Sequence, residues 1–183
     1  VAAGVDGLIV EGGEGGGFKS PTEVASMVLL PLVRSKVDVP IIAAGGMIDG
    51  GTMAAAFALG AEGIQMGTRM VSALESPVHE NWKQAIVDAP ETGTVFLNKF
   101  HSPALRALRT ERTVRLEANA EENIMAEFGN AQALYFGGDM EAAIPLSGQV
   151  AGRIESVKPV AEIIHETRDE FFRVLESLQH QYL

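Results

Sequence analysis

Apolar residues along this chain fall into two rhythms. Short β-branched runs that end at glycine alternate with stretches whose apolar positions recur at helical spacing. The runs Val5–Val10, Ile41–Ala44, Ile64–Met66 and Thr94–Leu97 predict strands, Val5–Val10 a buried one and Ile41–Ala44 in the style of a strand buried on both faces. Val24, Met27, Val28 and Leu32 predict a helix over Thr22–Lys36, with Pro31 kinking or shifting it. Thr52–Leu59 is built from small helix formers and predicts a second helix, capped by Asp49 and stopped by Gly60. A third is predicted over Glu75–Ala89, with Ser76 as N-cap and Pro77 at the first helical position. Four strands alternating with three helices predict a parallel sheet in an α/β fold.

Beyond this body the pattern changes. Ser102–Leu108 reads as a short helix, and a charged segment runs from Thr110 to Glu122. A short helical stretch at Asn123–Phe128 and a loop through Gly137, Gly138 and Asp139 follow, which together read as a cap or an insertion. Ser147–Ile154 has helix-compatible spacing. Pro159–Leu178 predicts an amphipathic helix whose stripe includes Val160, Ile163, Ile164, Phe171, Val174, Leu175 and Leu178.

The stretch from Pro40 to Thr68 organises the rest, because it reads as strand, glycine turn, helix, strand and second glycine turn. Glycine lets backbone amides approach an anion closely, so the turn at Gly45–Gly46 and the turn at Gly67–Thr68 together predict a phosphate cradle, with the Thr68 hydroxyl as a further donor. Plain turn chemistry competes with that reading, since strand-to-helix turns of any parallel α/β protein are often glycine-rich. The denser run Gly12–Gly17, broken only by Glu14, forms no regular structure.

Composition narrows the options. The chain has 183 residues, enough for one domain with a substantial core, and 46% hydrophobic content with 20 glycines fits a glycine-turned globular protein. A net charge of −10 with no basic stripe argues against nucleic acid as a partner. The absence of cysteine removes disulfides, thiolate nucleophiles and cysteine-ligated clusters, and is compatible with the cytoplasm, which is the expected location. Apolar runs such as Ala54–Leu59 are far shorter than a membrane span, so no membrane partner is expected. The opening on Val1, without an initiator Met or leader, reads as an interior fragment.

Taken as an ordered set, VDGLIVEGGEGGG, the turn AAGG with Asp49 and Gly50, GIQMGTRM, ESPVHENWKQAI and the late SGQVAG resemble the nitronate monooxygenases, formerly 2-nitropropane dioxygenases. Flavin-dependent enoyl-acyl-carrier-protein reductases share nearly all of these motifs. The resemblance implies the C-terminal half of an FMN-binding, TIM-type (β/α)8 barrel in residues 1–109, with residues 110–183 as a mainly helical cap and C-terminal helix. It places Ala44, Gly45, Gly46, Gln65, Met66, Gly67 and Thr68 at the FMN phosphate and ribityl chain, and Gly16 and Phe18 near the isoalloxazine ring. Both enzyme groups usually carry histidine where this chain has Phe18, so no catalytic residue is assigned. The implied activity is oxidation of alkyl nitronates, or similar carbon-acid anions, by dioxygen through FMN. The alternatives are an enoyl-thioester reductase using a nicotinamide and a flavin-binding subunit without turnover. A half barrel also implies a partner, either a missing N-terminal half or a complementary chain, and leaves a homo-oligomer open.

Other polar residues carry weaker signals. Lys19 suits charge steering of an anionic substrate, but an exposed loop lysine is the preferred reading. Glu11 and Glu14 end a strand where barrel enzymes put their chemistry, and are read first as acceptors for loop amides rather than as bases. His79 and Glu80 read as local capping or pairing residues. Met66 and Met70 are explained by strand packing. His101 follows a strand, though a structural or solvent-facing role is favoured. His79, His101, His165 and His180 lack ligand spacing, so no metal site is predicted.

Overall fold

A computed structural model describes residues 3–183. In chain order it contains β1 (Leu8–Glu11), β2 (Gly17–Lys19), α1 (Ser26–Arg34), β3 (Ile41–Ala44), α2 (Gly50–Ala58), β4 (Gly63–Gln65), α3 (Thr68–Val71), α4 (Glu80–Val87), β5 (Thr94–Leu97), β6 (Ala104–Leu108), α5 (Glu111–Ala118), α6 (Ala131–Tyr135) and α7 (Val160–Tyr182). Two 3-10 turns, Ile124–Glu127 and Gln149–Arg153, interrupt the later loops. The fold is α/β, with two separate three-stranded sheets.

The first sheet is parallel, in the order β1-β3-β4. Its strands alternate between two faces. Val10, Ile41 and Ala43 are buried against Leu30 of α1 and Ala56 of α2, forming one core cluster. Ile9 and Ile42 point the other way and remain 60% and 39% exposed. Asp49 caps α2 through a capping box: its side chain accepts from the Thr52 N–H, and the Thr52 hydroxyl accepts from the Asp49 N–H. Helix α2 then packs beneath α7, where Phe171 meets Phe57 edge-on at 5.1 Å. Glu170 of α7 accepts the Gly50 N–H at 2.9 Å, completing the first turn of α2 across the chain.

The second sheet corrects two expectations. Thr94–Leu97 is a strand, but it does not join the parallel sheet; β5 pairs antiparallel with β6, which also pairs antiparallel with β2. Ser102–Leu108 is not a helix. Ala104–Leu108 lies in the middle of this sheet with every residue buried, so strand pairing on both edges overrides the helix preference of Ala, Leu and Arg. Helix α4 begins at Glu80 rather than at Pro77, because His79 is the N-cap and its Nδ1 accepts the Asn81 N–H at 3.1 Å.

Another group of apolar side chains, including Trp82, Ile86, Leu134 and Val150, joins α4 and α6 to the Gln149–Arg153 turn. The buried Trp82 indole donates to Ser147 Oγ at 3.4 Å and packs edge-on against Tyr135. On α7 the buried positions are Ile163, Thr167 and Phe171, whereas Ile164, Leu175 and Leu178 are exposed. No helix among the described residues is long and apolar enough to cross a membrane.

The α2–α7 contact yields a paired prediction. A Cβ on Gly50 would lie 2.5 Å from Thr167 O, whereas one on Gly51 would meet nothing closer than 3.5 Å. Gly50→Ala is expected to lower the unfolding free energy by about 1–3 kcal/mol through overpacking. Gly51→Ala should be neutral or stabilising by about 0.4–1 kcal/mol, both read from urea unfolding of the full chain.

Candidate functional site

The carboxyl ends of the parallel strands form one rung, with Glu11 paired to Ala44 and Ala44 to Gln65. Alternation puts all three on the face of Ile9 and Ile42, away from α1 and α2. Each strand then leaves through glycine: Gly12 after β1, Gly45 and Gly46 after β3, and Gly67 shortly after β4. These loops meet Gly148 around a cavity of about 240 Å³.

The loops touch through their main chains. Gly12 N–H donates to Ala44 O at 3.0 Å and Gln149 N–H donates to Glu14 O at 2.9 Å. A Cβ on Gly148 would lie 2.8 Å from Glu14 O, and one on Gly16 would overlap the Ser147 backbone. Gly45 and Gly46 both have φ in the left-handed region, +75° and +77°, which turns the chain sharply at the strand end.

Of the residues singled out in the sequence, Gly16, Ala44, Gly45, Gly46, Gln65, Gly67 and Thr68 line this cavity. Met66 packs into the cluster beneath the sheet instead. Phe18 is 55% exposed and stacks on Phe128, with ring centroids 6.2 Å apart. Thr68 is buried, and its Oγ1 accepts the Gly148 N–H at 2.8 Å, leaving the hydroxyl hydrogen available to the cavity. The N–H groups of Gly46, Gly67 and Thr68 donate to no acceptor among the described residues. Three unmatched main-chain donors and one oriented hydroxyl therefore border the same space.

Charged side chains brace the loops. Glu14 accepts from Ser26 N–H at 3.0 Å and Ser26 Oγ at 3.1 Å, so it serves as the loop acceptor that its position suggests. Arg106 of β6 is buried; its Nε donates to Gly13 O at 2.8 Å, Nη2 reaches Glu23 at 2.7 Å, and its guanidinium lies over the Phe96 ring. Lys19 is not an exposed loop lysine: it belongs to β2, its side chain is 6% exposed, and its ammonium lies 2.7 Å from Glu11 Oε1. Arg69, next to Thr68, donates to Ser72 Oγ and Ser156 O; burial pulls its pKa below the usual guanidinium value, with the charges of Glu166 and Glu162 opposing the shift.

Sequence reasoning missed Leu146, Gly148 and Val150 as lining residues, because the local pattern around them is only helix-compatible and their approach to the cavity is a long-range contact. His101 contacts Glu121 O at 3.0 Å, outside the lining. Among the described residues there is no group of three or more His, Asp or Glu that could hold a metal ion.

The Thr68 contact is testable. Thr68→Val keeps the shape but leaves the buried Gly148 N–H without its acceptor, and should lower stability by about 1–3 kcal/mol in chemical denaturation. Thr68→Ser should retain most of it.

Comparison with known proteins places the chain. The nitronate monooxygenase family model matches residues 1–170. A Mycobacterium tuberculosis protein named (3aS,4S,5R,7aS)-5-hydroxy-7a-methyl-1-oxo-octahydro-1H-indene-4-carboxyl-CoA dehydrogenase is 42% identical over 122 residues, covering 65% of this chain and 34% of its own length. A probable nitronate monooxygenase of Staphylococcus aureus is 37% identical over 114 residues, covering 58% and 32%. The structure of FabK from Thermotoga maritima superposes with a TM-score of 0.91 at 41% identity, covering 98% of this chain and 58% of that one. The nitroalkane oxidase of Streptomyces ansochromogenes gives 0.81 at 26% identity, covering 97% and 55%. The chain spans about a third of the length of the curated relatives it matches and just over half of the solved ones. With its motifs, its loop geometry and a family match over residues 1–170, the chain belongs to the nitronate monooxygenase family.

Proposed function

We propose that this chain carries the phosphate-binding part of an FMN-dependent oxidoreductase acting on alkyl nitronates or similar carbon-acid anions, with dioxygen as the final acceptor. The observation that carries the reading is the set of free N–H groups at Gly46, Gly67 and Thr68 around one cavity. An anion with several acceptor oxygens matches such donors. The volume of about 240 Å³ is smaller than the roughly 300–1,000 Å³ that encloses a whole drug-sized ligand. It would suit the phosphate and ribityl end of FMN alone, with Glu11 and Gly16 among the other lining residues.

In this reading Gly46, Gly67 and Thr68 hold the phosphate, and Ala44 and Gln65 flank the ribityl chain. When bound, FMN would supply the two-electron redox chemistry between substrate and dioxygen. The chain's own residues bind, orient and exclude water. The exposed Ile9 and Ile42 are then inner-face residues of a (β/α)8 barrel, covered by a preceding segment of the same protein or by a complementary chain. A thioester substrate is the second reading, favoured by the 42% identity to a protein named for a carboxyl-CoA ester.

Two measurements test this. Gly67 has open space around it, so Gly67→Asp should fold while placing a carboxylate among the phosphate donors. FMN affinity in a fluorescence titration should fall about tenfold or more, near 1.4 kcal/mol, whereas riboflavin, which lacks the phosphate, should bind unchanged. Equal losses for both ligands would remove the phosphate assignment. Oxygen uptake on adding propyl-2-nitronate is expected of the FMN-loaded full chain, while bleaching by a nicotinamide without such uptake would favour the thioester reductase.

A further inference from the structure

The phosphate reading leaves the pair Glu11 and Lys19 unexplained. Glu11 ends β1 on the cavity face and contributes to the lining. Lys19 follows the residue at the family's histidine position, and strand alternation decides where each side chain goes. Phe18 is sent outward onto Phe128, stacked at 11°. Lys19 is turned inward, its ammonium 2.7 Å from Glu11 Oε1 and 3.3 Å from Gly12 O. A Cβ on Gly15 would overlap both charged groups, which therefore sit directly against the glycine loop.

The two carboxylates of the cavity differ in commitment. Both oxygens of Glu14 accept from Ser26, at 3.0 and 3.2 Å from its N–H. Glu11 uses Oε1 on Lys19, and its Oε2 accepts from nothing among the described residues. A carboxylate anchored through one oxygen, with the other free at the strand end on the side of a ligand cavity, meets the geometric requirement for a general base.

We propose that Glu11 is the general base of this site, removing an acidic α-hydrogen from a neutral carbon acid, and that Lys19 is the positioning residue that aims it. The inference rests on the carbon-acid reading above. In the step, the substrate C–H bond breaks and its proton forms an O–H bond on Glu11 Oε2. The electron pair stays on the substrate as the resonance-stabilised anion, a nitronate when the substrate is a nitroalkane, and no oxidant is consumed.

The test is anaerobic proton NMR of nitroethane in D₂O, following exchange of its α-hydrogens in the presence of the full chain loaded with FMN. Wild type should accelerate exchange, and Glu11→Gln should slow the protein-dependent rate about 100-fold or more. Lys19→Met should also slow it, Lys19→Arg should recover part of the rate, and Lys99→Ala, on an exposed turn, should match wild type. Circular dichroism verifies the fold of each variant; should Glu11→Gln not fold, Glu11→Asp, which withdraws the carboxylate by one methylene, should slow exchange at least about tenfold. Exchange by Glu11→Gln or Glu11→Asp at the wild-type rate overturns the base, and Lys19→Arg behaving as Lys19→Met overturns the positioning role. Oxygen uptake by wild type with propyl-2-nitronate but no exchange of nitroethane overturns the base while sparing the function; exchange without uptake overturns the oxidase reading and supports the base.

Discussion

Main chain packed against main chain is the constraint on which this site depends. The loop after β1, the turn after β3 and the segment around Gly148 approach so closely that a side-chain carbon at Gly16, Gly45 or Gly148 would intrude on a neighbouring backbone. That proximity leaves the free amides of Gly46, Gly67 and Thr68 around one small space. Carbonyl groups of the same loops are matched elsewhere: Glu14 O accepts from Gln149, Ala44 O from Gly12, and Gly13 O from the Arg106 guanidinium. The main-chain part of the lining is thus biased toward donors, and that bias rather than any one residue suits an anion beside the Glu11 and Glu14 carboxylates.

Much of this was legible because local chemistry determined it. The sequence Asp49-Gly50-Gly51-Thr52 contains its own cap, so the start of α2 could be read without tertiary information. The βαβ unit from Ile41 to Gln65 was equally local, and the glycine turns that end its strands identified Gly45, Gly46, Gly67 and Thr68 as lining residues. Ala104–Leu108 was not legible. Its residues favour a helix in isolation, and only burial between β2 and β5 makes it a strand. Lys19 was misread for the same reason: a three-residue strand at the end of a glycine run has too little pattern to reveal which way its side chains point.

Arg106 shows how such a miss reaches the site. Carried on the unrecognised strand, it spans to Gly13 O and Glu23 and fixes the glycine loop from behind. A glycine-rich loop of this kind loses much conformational entropy on ordering, and a buried, forked cation with two acceptors offsets part of that loss. The antiparallel sheet is therefore a brace for the parallel one. It also holds Gly17, Phe18 and Lys19 in extended form, which separates the outward phenyl from the inward ammonium.

The hydrogen bond from Gly50 N–H to Glu170 joins groups 120 residues apart. During synthesis at about 5–20 residues per second, the opening turn of α2 waits on the order of ten seconds before its acceptor has been made. Throughout that interval Phe57 lacks its edge-on partner, since Phe171 has yet to be made. Helix α7 is in this sense a clasp that closes on α2 only after the elements between them have been laid down.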